Sequence, residues 1–318
     1  MNIHADKGGS SMITVRAFLL ALLISSSSVY AQFAQTYVSA ETGNDSHSCE
    51  FSHPCRTITR AISQTNPRGD VIILDSGPYD PFVVGKTLTV TAAPGVQPTI
   101  TVTAGSGALI TAGAEDSVTL RGLAFNAVLA FAGIRFVSGN ALLVESCSIH
   151  GSNRGGITVE GSGKVFIKDT NIQNCFSLDD AGSGIYISPP TGTVMVTIEH
   201  CRLENNWEAG VEAYDNSKVT VRDTVSSGNA GAGFRVFSHP APVEMNLENC
   251  AATDNSIGVN SAIPSTGGSA TIRVSGSVIT NNDTGIFANL GGVVLSRGNN
   301  TLEGNQADGS FTALYLAK

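Results

Sequence analysis

The sequence predicts an all-β solenoid, a stack of short coils in which each coil buries its apolar face only against its neighbours. Three observations lead there. Seven Gly-apolar pairs, Gly133-Ile134, Gly156-Ile157, Gly184-Ile185, Gly210-Val211, Gly233-Phe234, Gly258-Val259 and Gly285-Ile286, recur at intervals of 23 to 28 residues. The intervening residues are rich in Val, Ile, Asn and Gly and carry no helical stripe. The chain is 42% hydrophobic, 6% aromatic and 14% charged, which suits a long narrow core of Val, Ile, Leu and Ala rather than a disordered chain.

Residues 1–31 read as a signal peptide: Arg16, the apolar run 17–24, a serine stretch and Val29-Tyr30-Ala31 are the three parts of an export signal. Met12 makes a better start than Met1, because residues 2–11 are polar and place Asp6 in what should be a positive segment. Cleavage after Ala31 leaves 16 basic and 25 acidic residues, a net charge of −9 against −8 for the whole chain. An acidic protein without a basic run is not expected to bind nucleic acid. No second long apolar stretch follows, so no membrane span is expected and the product is placed as secreted or periplasmic, in a bacterium.

Residues 32–70 are expected to hold a strand at Tyr37-Val38-Ser39, a turn at Gly43-Asn44-Asp45, a loop flanked by Cys49 and Cys55, and an amphipathic helix, Arg56-Thr57-Ile58-Thr59-Arg60-Ala61-Ile62, introduced by Pro54. An open solenoid end exposes strand edges and apolar side chains, and this helix is the expected cap. Residues 71–318 are then one solenoid, faint at Val71-Ile72-Ile73-Leu74, Thr87-Leu88-Thr89-Val90, Ile100-Thr101-Val102 and Val118-Thr119-Leu120, with residues 311–318 closing the far end.

Aligning the coils yields strand ends Val144-Glu145-Ser146-Cys147, Ile167-Lys168-Asp169-Thr170, Ile198-Glu199-His200-Cys201, Val221-Arg222-Asp223-Thr224, Leu247-Glu248-Asn249-Cys250 and Val274-Ser275-Gly276-Ser277. Alternation sends the apolar and small members inward. A second column, Ser152, Cys175, Asn206, Asn229, Asn255, Asn282 and Asn305, reads as an asparagine ladder, with amides stacked at the ~4.8 Å strand spacing. Over residues 71–309 these columns resemble the right-handed parallel β-helix family, the pectate-lyase-like superfamily. The fold class expected is therefore an all-β, right-handed parallel β-helix solenoid with a short N-terminal capping helix.

Of the six cysteines, Cys49 and Cys55 have a spacing that closes easily and are expected to form a disulfide. Cys147 and Cys201, like Cys201 and Cys250, lie two coils apart, about 9.6 Å, which is too far to bridge. They are expected as buried thiols interchangeable with Thr170, Thr224 and Ser277.

In enzymes of the resembled superfamily the substrate lies along the outer face of one parallel sheet. Here the Gly-apolar strands present a first outward row, Arg135, Thr158, Tyr186, Glu212, Arg235, Asn260 and Phe287, and a second, Glu160, Ser188, Tyr214 and Phe237. Loops entering them add Asp179, Asp180, Trp207 and Glu208. Tyr186, Trp207, Glu208, Tyr214 and Phe237 are the expected substrate contacts, because rings stack on the apolar side of a pyranose and carboxylates accept its hydroxyls. Glu212, Arg235, Asp179 and Asp180 are the candidate catalytic residues, as acid and base of a hydrolase, lyase or epimerase. The same residue types also suit an ordinary exposed pleat.

The resemblance is incomplete at the chemistry. Polygalacturonase-like members carry Asn-Thr-Asp, Asp-Asp, Gly-His-Gly and Arg-Ile-Lys motifs, of which this chain matches only Asp179-Asp180. Pectate-lyase-like members join a calcium-binding acid cluster to an arginine base, and here Glu212 and Arg235 lack the acid triplet. The six histidines have no ligand spacing, so no metal centre is expected, although Asn44 and Asp45 could hold calcium in their turn. The expectation is a monomeric protein that engages an extended polysaccharide or a cell-envelope surface. The alternative is a non-catalytic structural or adhesive module.

Overall fold

The chain falls into two units, Met1–Ala31 and Gln32–Lys318, and the second carries the fold. The computed structural model describes residues 1–4, 33–128, 130–176, 181–264 and 267–316, and the expected signal peptide lies almost wholly outside them. Every ladder is parallel, and the strands sort into a twelve-stranded, a nine-stranded and a ten-stranded sheet, each coil giving one strand to each sheet through the body of the stack. The fold is the expected right-handed parallel β-helix, a connection hand that parallel strands in one sheet almost always take.

One coil shows how local chemistry turns the chain. The strand Ala141–Glu145 ends at Ser146, which takes φ 53°; Ser148–His150 then runs to Gly151 at φ 74°, and Gly155–Val159 completes the circuit. Equivalent first corners are Asp169, His200, Asp223, Asn249 and Gly276, with φ between 47° and 58°. The third position of the strand-end column is thus a left-handed corner rather than a strand residue. Asp, Asn and Gly recur there because they tolerate that conformation. His200, at such a corner, is exposed, 3.8 Å from both Asp169 and Asp223.

The cysteine column has a local explanation. Cys147, Cys201 and Cys250 point inward and each thiol donates to the carbonyl two residues back, at 3.4, 3.2 and 3.3 Å. Thr170, Thr224 and Ser277 place their hydroxyls on the same carbonyl at 2.9, 2.7 and 3.0 Å. Burial pushes the thiols of Cys175, Cys201 and Cys250 up to about 11 and that of Cys147 to about 12, so they remain protonated and unreactive.

The glycine column has another. A Cβ on Gly156, Gly184, Gly210, Gly233 or Gly258 would stand 2.6 to 2.9 Å from the carbonyl oxygen of the corresponding glycine one coil on. Coils approach there more closely than any side chain allows. Beside it runs the asparagine ladder. Asn229 Oδ1 accepts from the Asn206 backbone N–H at 3.0 Å and from Asn206 Nδ2 at 2.9 Å, and the pattern repeats from Asn255 to Asn305. The ladder satisfies corner N–H groups that lie inside the stack, where water cannot reach them.

The helix is Ile58–Gln64, two residues later than the expected segment 56–62, and its cap is Thr57, whose hydroxyl accepts from Arg60 N. Ile58, Ala61 and Ile62 are buried over the first coils, as a cap requires. The Cys49–Cys55 disulfide is formed. Asp45 spends its carboxylate on Arg56 N, Thr57 N and the Thr57 hydroxyl, at 2.8 to 2.9 Å, so it anchors the helix start. At the far end the strand Ala313–Leu314 adds to the twelve-stranded sheet and Phe311 packs on the core, while Leu314 and Leu316 stay exposed.

Asp75 ties the first coil to the cap. Partial burial raises its pKa, but hydrogen bonds from Ser39, Tyr79, Ala40 N and Glu41 N outweigh that and hold it at about 2. A depressed folded-state pKa contributes stability above the unfolded value near 4, lost as pH falls towards 2. Asp75→Asn should therefore destabilise the protein at pH 7, and its deficit against wild type should vanish near pH 2 in urea titrations across that range. Asn229→Ala leaves the buried Asn206 N–H without its partner and should cost about 1–3 kcal/mol. Gly258→Ala, which forces a Cβ to 2.6 Å from Gly285 O and Ile279, should cost about 1–3 kcal/mol through overpacking, read as a lowered urea midpoint.

Candidate functional site

The outer face of the nine-stranded sheet carries the expected rows. Its register places Thr158, Tyr186, Glu212, Arg235, Asn260 and Phe287 opposite one another on successive strands, about 4.8 Å apart. The centre of this row is not the open pleat that alternation suggests. Glu212 is 2% exposed, Arg235 7% and Asn260 5%, and Tyr186 is also buried.

A charge cluster explains the burial. Arg235 Nη1 lies 3.3 Å from Glu212 Oε1 and pairs with Glu208 Oε1. Glu212 Oε1 also accepts from the Tyr214 hydroxyl at 2.9 Å, and its Oε2 accepts from Ser183 Oγ at 2.7 Å. Both Glu212 oxygens are thereby engaged beneath the surface, which corrects the expectation of an accessible groove carboxylate. Burial works against the charge on Arg235, but Glu212 and Glu208 outweigh it and hold the guanidinium above its ordinary value. Gly231 makes the room: a Cβ there would sit 2.9 Å from Arg235 Nη2.

Aromatic rings line up beside the cluster. Ring centroids are 5.4 Å apart for Tyr186 and Tyr214, 5.7 Å for Tyr214 and Phe237, and 5.9 Å for Tyr214 and His239, the last pair stacked. Arg154 covers the Tyr186 ring at 4.1 Å and donates to its hydroxyl, and Arg235 lies 5.2 Å from the Phe237 ring. Burial raises the Tyr186 phenol, with Arg154 opposing it; burial and then the Glu212 charge raise Tyr214 further. Both phenols stay protonated at neutral pH. Beyond Tyr214 and Phe237 the face dips into a hollow of about 440 Å³, lined also by His239, Asn260, Phe287 and Leu290.

The other expected residues divide. Glu208 joins the cluster through Arg235. Trp207, 55% exposed, stands apart from the aromatic line, beside Phe176, Asn205 and Gly228 in a separate hollow of about 260 Å³. Asp179 and Asp180 lie outside the described residues. Ser183 and Arg154 were not anticipated as site residues. Ser183 had a signal, since it is polar in a column otherwise holding Ala132, Gly155, Ala209, Ala232 and Ile257 until Thr284; Arg154 sits in a corner loop and had none.

Residues 100–245 and 132–307 match the family described as "Right handed beta helix region", and the chain belongs to that family. Among solved structures it is similar to pectate lyase Pel9A, with a TM-score of 0.61 and 17% identity over 89% of this chain and 78% of that one. It is also similar to the GH136 lacto-N-biosidase from Eubacterium ramulus, with a TM-score of 0.49 and 11% identity over 89% and 67%. These likenesses are of fold alone. No curated protein matches the sequence.

Among the described residues the donor set of the face does not fit calcium. Glu208 and Glu212 both close on Arg235, and among the described residues no group of three or more His, Cys, Asp or Glu side chains could hold a metal ion. Among the same residues no helix is long and apolar enough to cross a membrane.

Glu212→Ala leaves Arg235 deeply buried with only Glu208, and should lower stability by about 3 kcal/mol. Glu212→Gln, which keeps an acceptor for Ser183 and Tyr214, should cost measurably less; equal midpoints for the two variants in urea would refute a structural ion cluster.

Proposed function

We propose that this protein is exported and binds an extended carbohydrate along the outer face of the nine-stranded sheet. The observation that carries this reading is the line of partly exposed rings from Tyr214 to Phe237 and His239, backed by the buried Tyr186 and by the charge cluster beside it. Rigid aromatic faces bind sugars at low entropic cost, and the parallel register aligns them along the stack as a polymer requires. A disulfide supports an oxidising compartment.

For Glu212 and Arg235, a binding role is better supported than a catalytic one. A general acid or base must reach its proton, yet Glu212 is buried with both oxygens hydrogen-bonded, and Arg235 is held by two carboxylates. In this reading both residues hold Tyr214 and Phe237 in place, and the substrate contacts are Tyr214 and Phe237; Tyr186, expected as a contact, is buried with its ring covered by Arg154 and supports Tyr214 from behind. Hydrolysis or elimination is the competing reading, and a structural or adhesive role is the third.

Residues 32–318 should bind at least one member of a panel of neutral and anionic polysaccharides in calorimetry, with or without calcium. Phe237→Ala and Tyr214→Ala should weaken that binding about five- to tenfold while circular dichroism stays unchanged. New reducing ends or an ultraviolet-absorbing unsaturated product would establish an enzyme instead. Absence of any binding would move the function to a structural or adhesive surface.

A further inference from the structure

The outer face of the twelve-stranded sheet carries a charge pattern that the ring line does not use. Six consecutive strands, from Ser117–Arg121 to Val243–Glu248, place Arg121, Glu145, Lys168, Glu199, Arg222 and Glu248 in one row, so the sign alternates at every step of the stack. Neighbours in the row pair, Arg121 with Glu145 at 2.6 Å and Arg222 with Glu199 and Glu248 at 3.1 and 3.3 Å. All six side chains nevertheless stay between 23% and 56% exposed. Beside them Phe166 and Met195 lie open on the adjacent strands at the middle of the row, each more than 40% exposed, with Leu143 half-buried next to Phe166. The face is thus an apolar centre edged by charge, which is the anatomy of a protein interface.

An alternating row of even length is complementary to itself reversed. A two-fold axis parallel to the strands, midway between Gly163–Lys168 and Val194–Glu199, reverses the order of coils in a second copy. Arg121 then faces Glu248, Glu145 faces Arg222 and Lys168 faces Glu199, each contact occurring twice. In the row at the start of the same strands Lys164 faces Met195, Lys218 faces Ala141 and Glu244 faces Ser117, so no like charges meet there either. The two copies of Phe166 and Met195 gather about the axis. Other placements fail on charge. An axis along the stack sets Lys164 against Lys168, Lys218 against Arg222 and Glu244 against Glu248, and an axis moved onto the strand Val194–Glu199 sets Glu145 against Glu248. The chain carries a net charge of −8, so its copies repel over most approaches, whereas the six residues of this row sum to zero.

We infer that this face docks a second copy of the same chain, forming a two-fold dimer with Phe166 and Met195 at its centre and the alternating row along its edge. The inference goes beyond the carbohydrate-binding reading and does not depend on it, and it departs from the monomer that the sequence led us to expect. Six strands about 4.8 Å apart, each contributing about five residues of ~3.3 Å, give a footprint of roughly 450–500 Å² per copy, below the ~800 Å² of a standard interface. The dimer is therefore weak and concentration-dependent. Because the ring line lies on the nine-stranded sheet, each dimer presents two such lines, which raises the avidity for a repeating ligand.

Sedimentation velocity of residues 32–318 over a concentration series, without any glycan, tests this. The expected result is a reversible monomer–dimer equilibrium that loosens as salt is raised. Lys168→Glu alone, or Glu199→Lys alone, brings like charges together at the axis and should weaken dimerisation about tenfold, with circular dichroism unchanged. Mixing the two variants should restore it, because each altered side chain then faces the opposite charge on the other variant. Phe166→Ala should weaken the wild-type dimer about fivefold. A monomer at every concentration would overturn the inference, as would a dimer that neither charge variant disturbs. A mixture that associates no better than the single variants would overturn it too, because the reversed face-to-face geometry requires the rescue.

Discussion

Everything in this structure depends on the closeness with which one coil's backbone rests on the next. Parallel ladders set the spacing, and at the glycine column a carbonyl of the next coil occupies the place of a Cβ. That contact removes water from the corners, so the corner N–H groups need internal acceptors. The amides of Asn206, Asn229, Asn255, Asn282 and Asn305 supply them, each also bonding its neighbour along the stack. Glycines and asparagines are thus two sides of one constraint: tight stacking creates the polar debt that the ladder settles.

The same stacking makes the candidate site. Since the ladders are in register, a residue type repeated at one coil position becomes a straight row, and a single departure becomes a neighbour to four others. Glu212 and Arg235 are adjacent in this way, and the low accessibility of the row turns an ordinary cross-strand pair into a buried cluster with Glu208, Ser183 and Tyr214. Buried charges of this kind contribute more to fixing geometry than to net stability. Here the geometry fixed is that of the rings, as Tyr214 donates to Glu212 and Phe237 lies against Arg235.

Much of this was legible beforehand. The period, the inward columns, the ladder, the Cys49–Cys55 bridge and the capping helix all arise from residues that repeat or lie close in the chain, and each appears where the spacing placed it. The errors are local: the helix runs Ile58–Gln64 rather than 56–62, and the third strand-end residue is a left-handed corner. The site was half legible. Its rows follow from register, but alternation says only which way a side chain points and not what covers it. Trp207, grouped with the face by its place in an entering loop, lines a separate hollow with Phe176.

The sequence by itself determined the repeat, its parallel stacking and the identity of each column, because those depend on periodicity and on the conformational limits of Gly, Asn and Asp. Only the tertiary structure decided that Glu212 and Arg235 are buried, that Asn260 is left with an unpaired oxygen, and that Phe237, Phe287 and His239 enclose a hollow. The physical reason is that accessibility and hydrogen-bond satisfaction belong to groups brought together from several coils, some 25 residues apart in sequence at each step, and no local pattern encodes them.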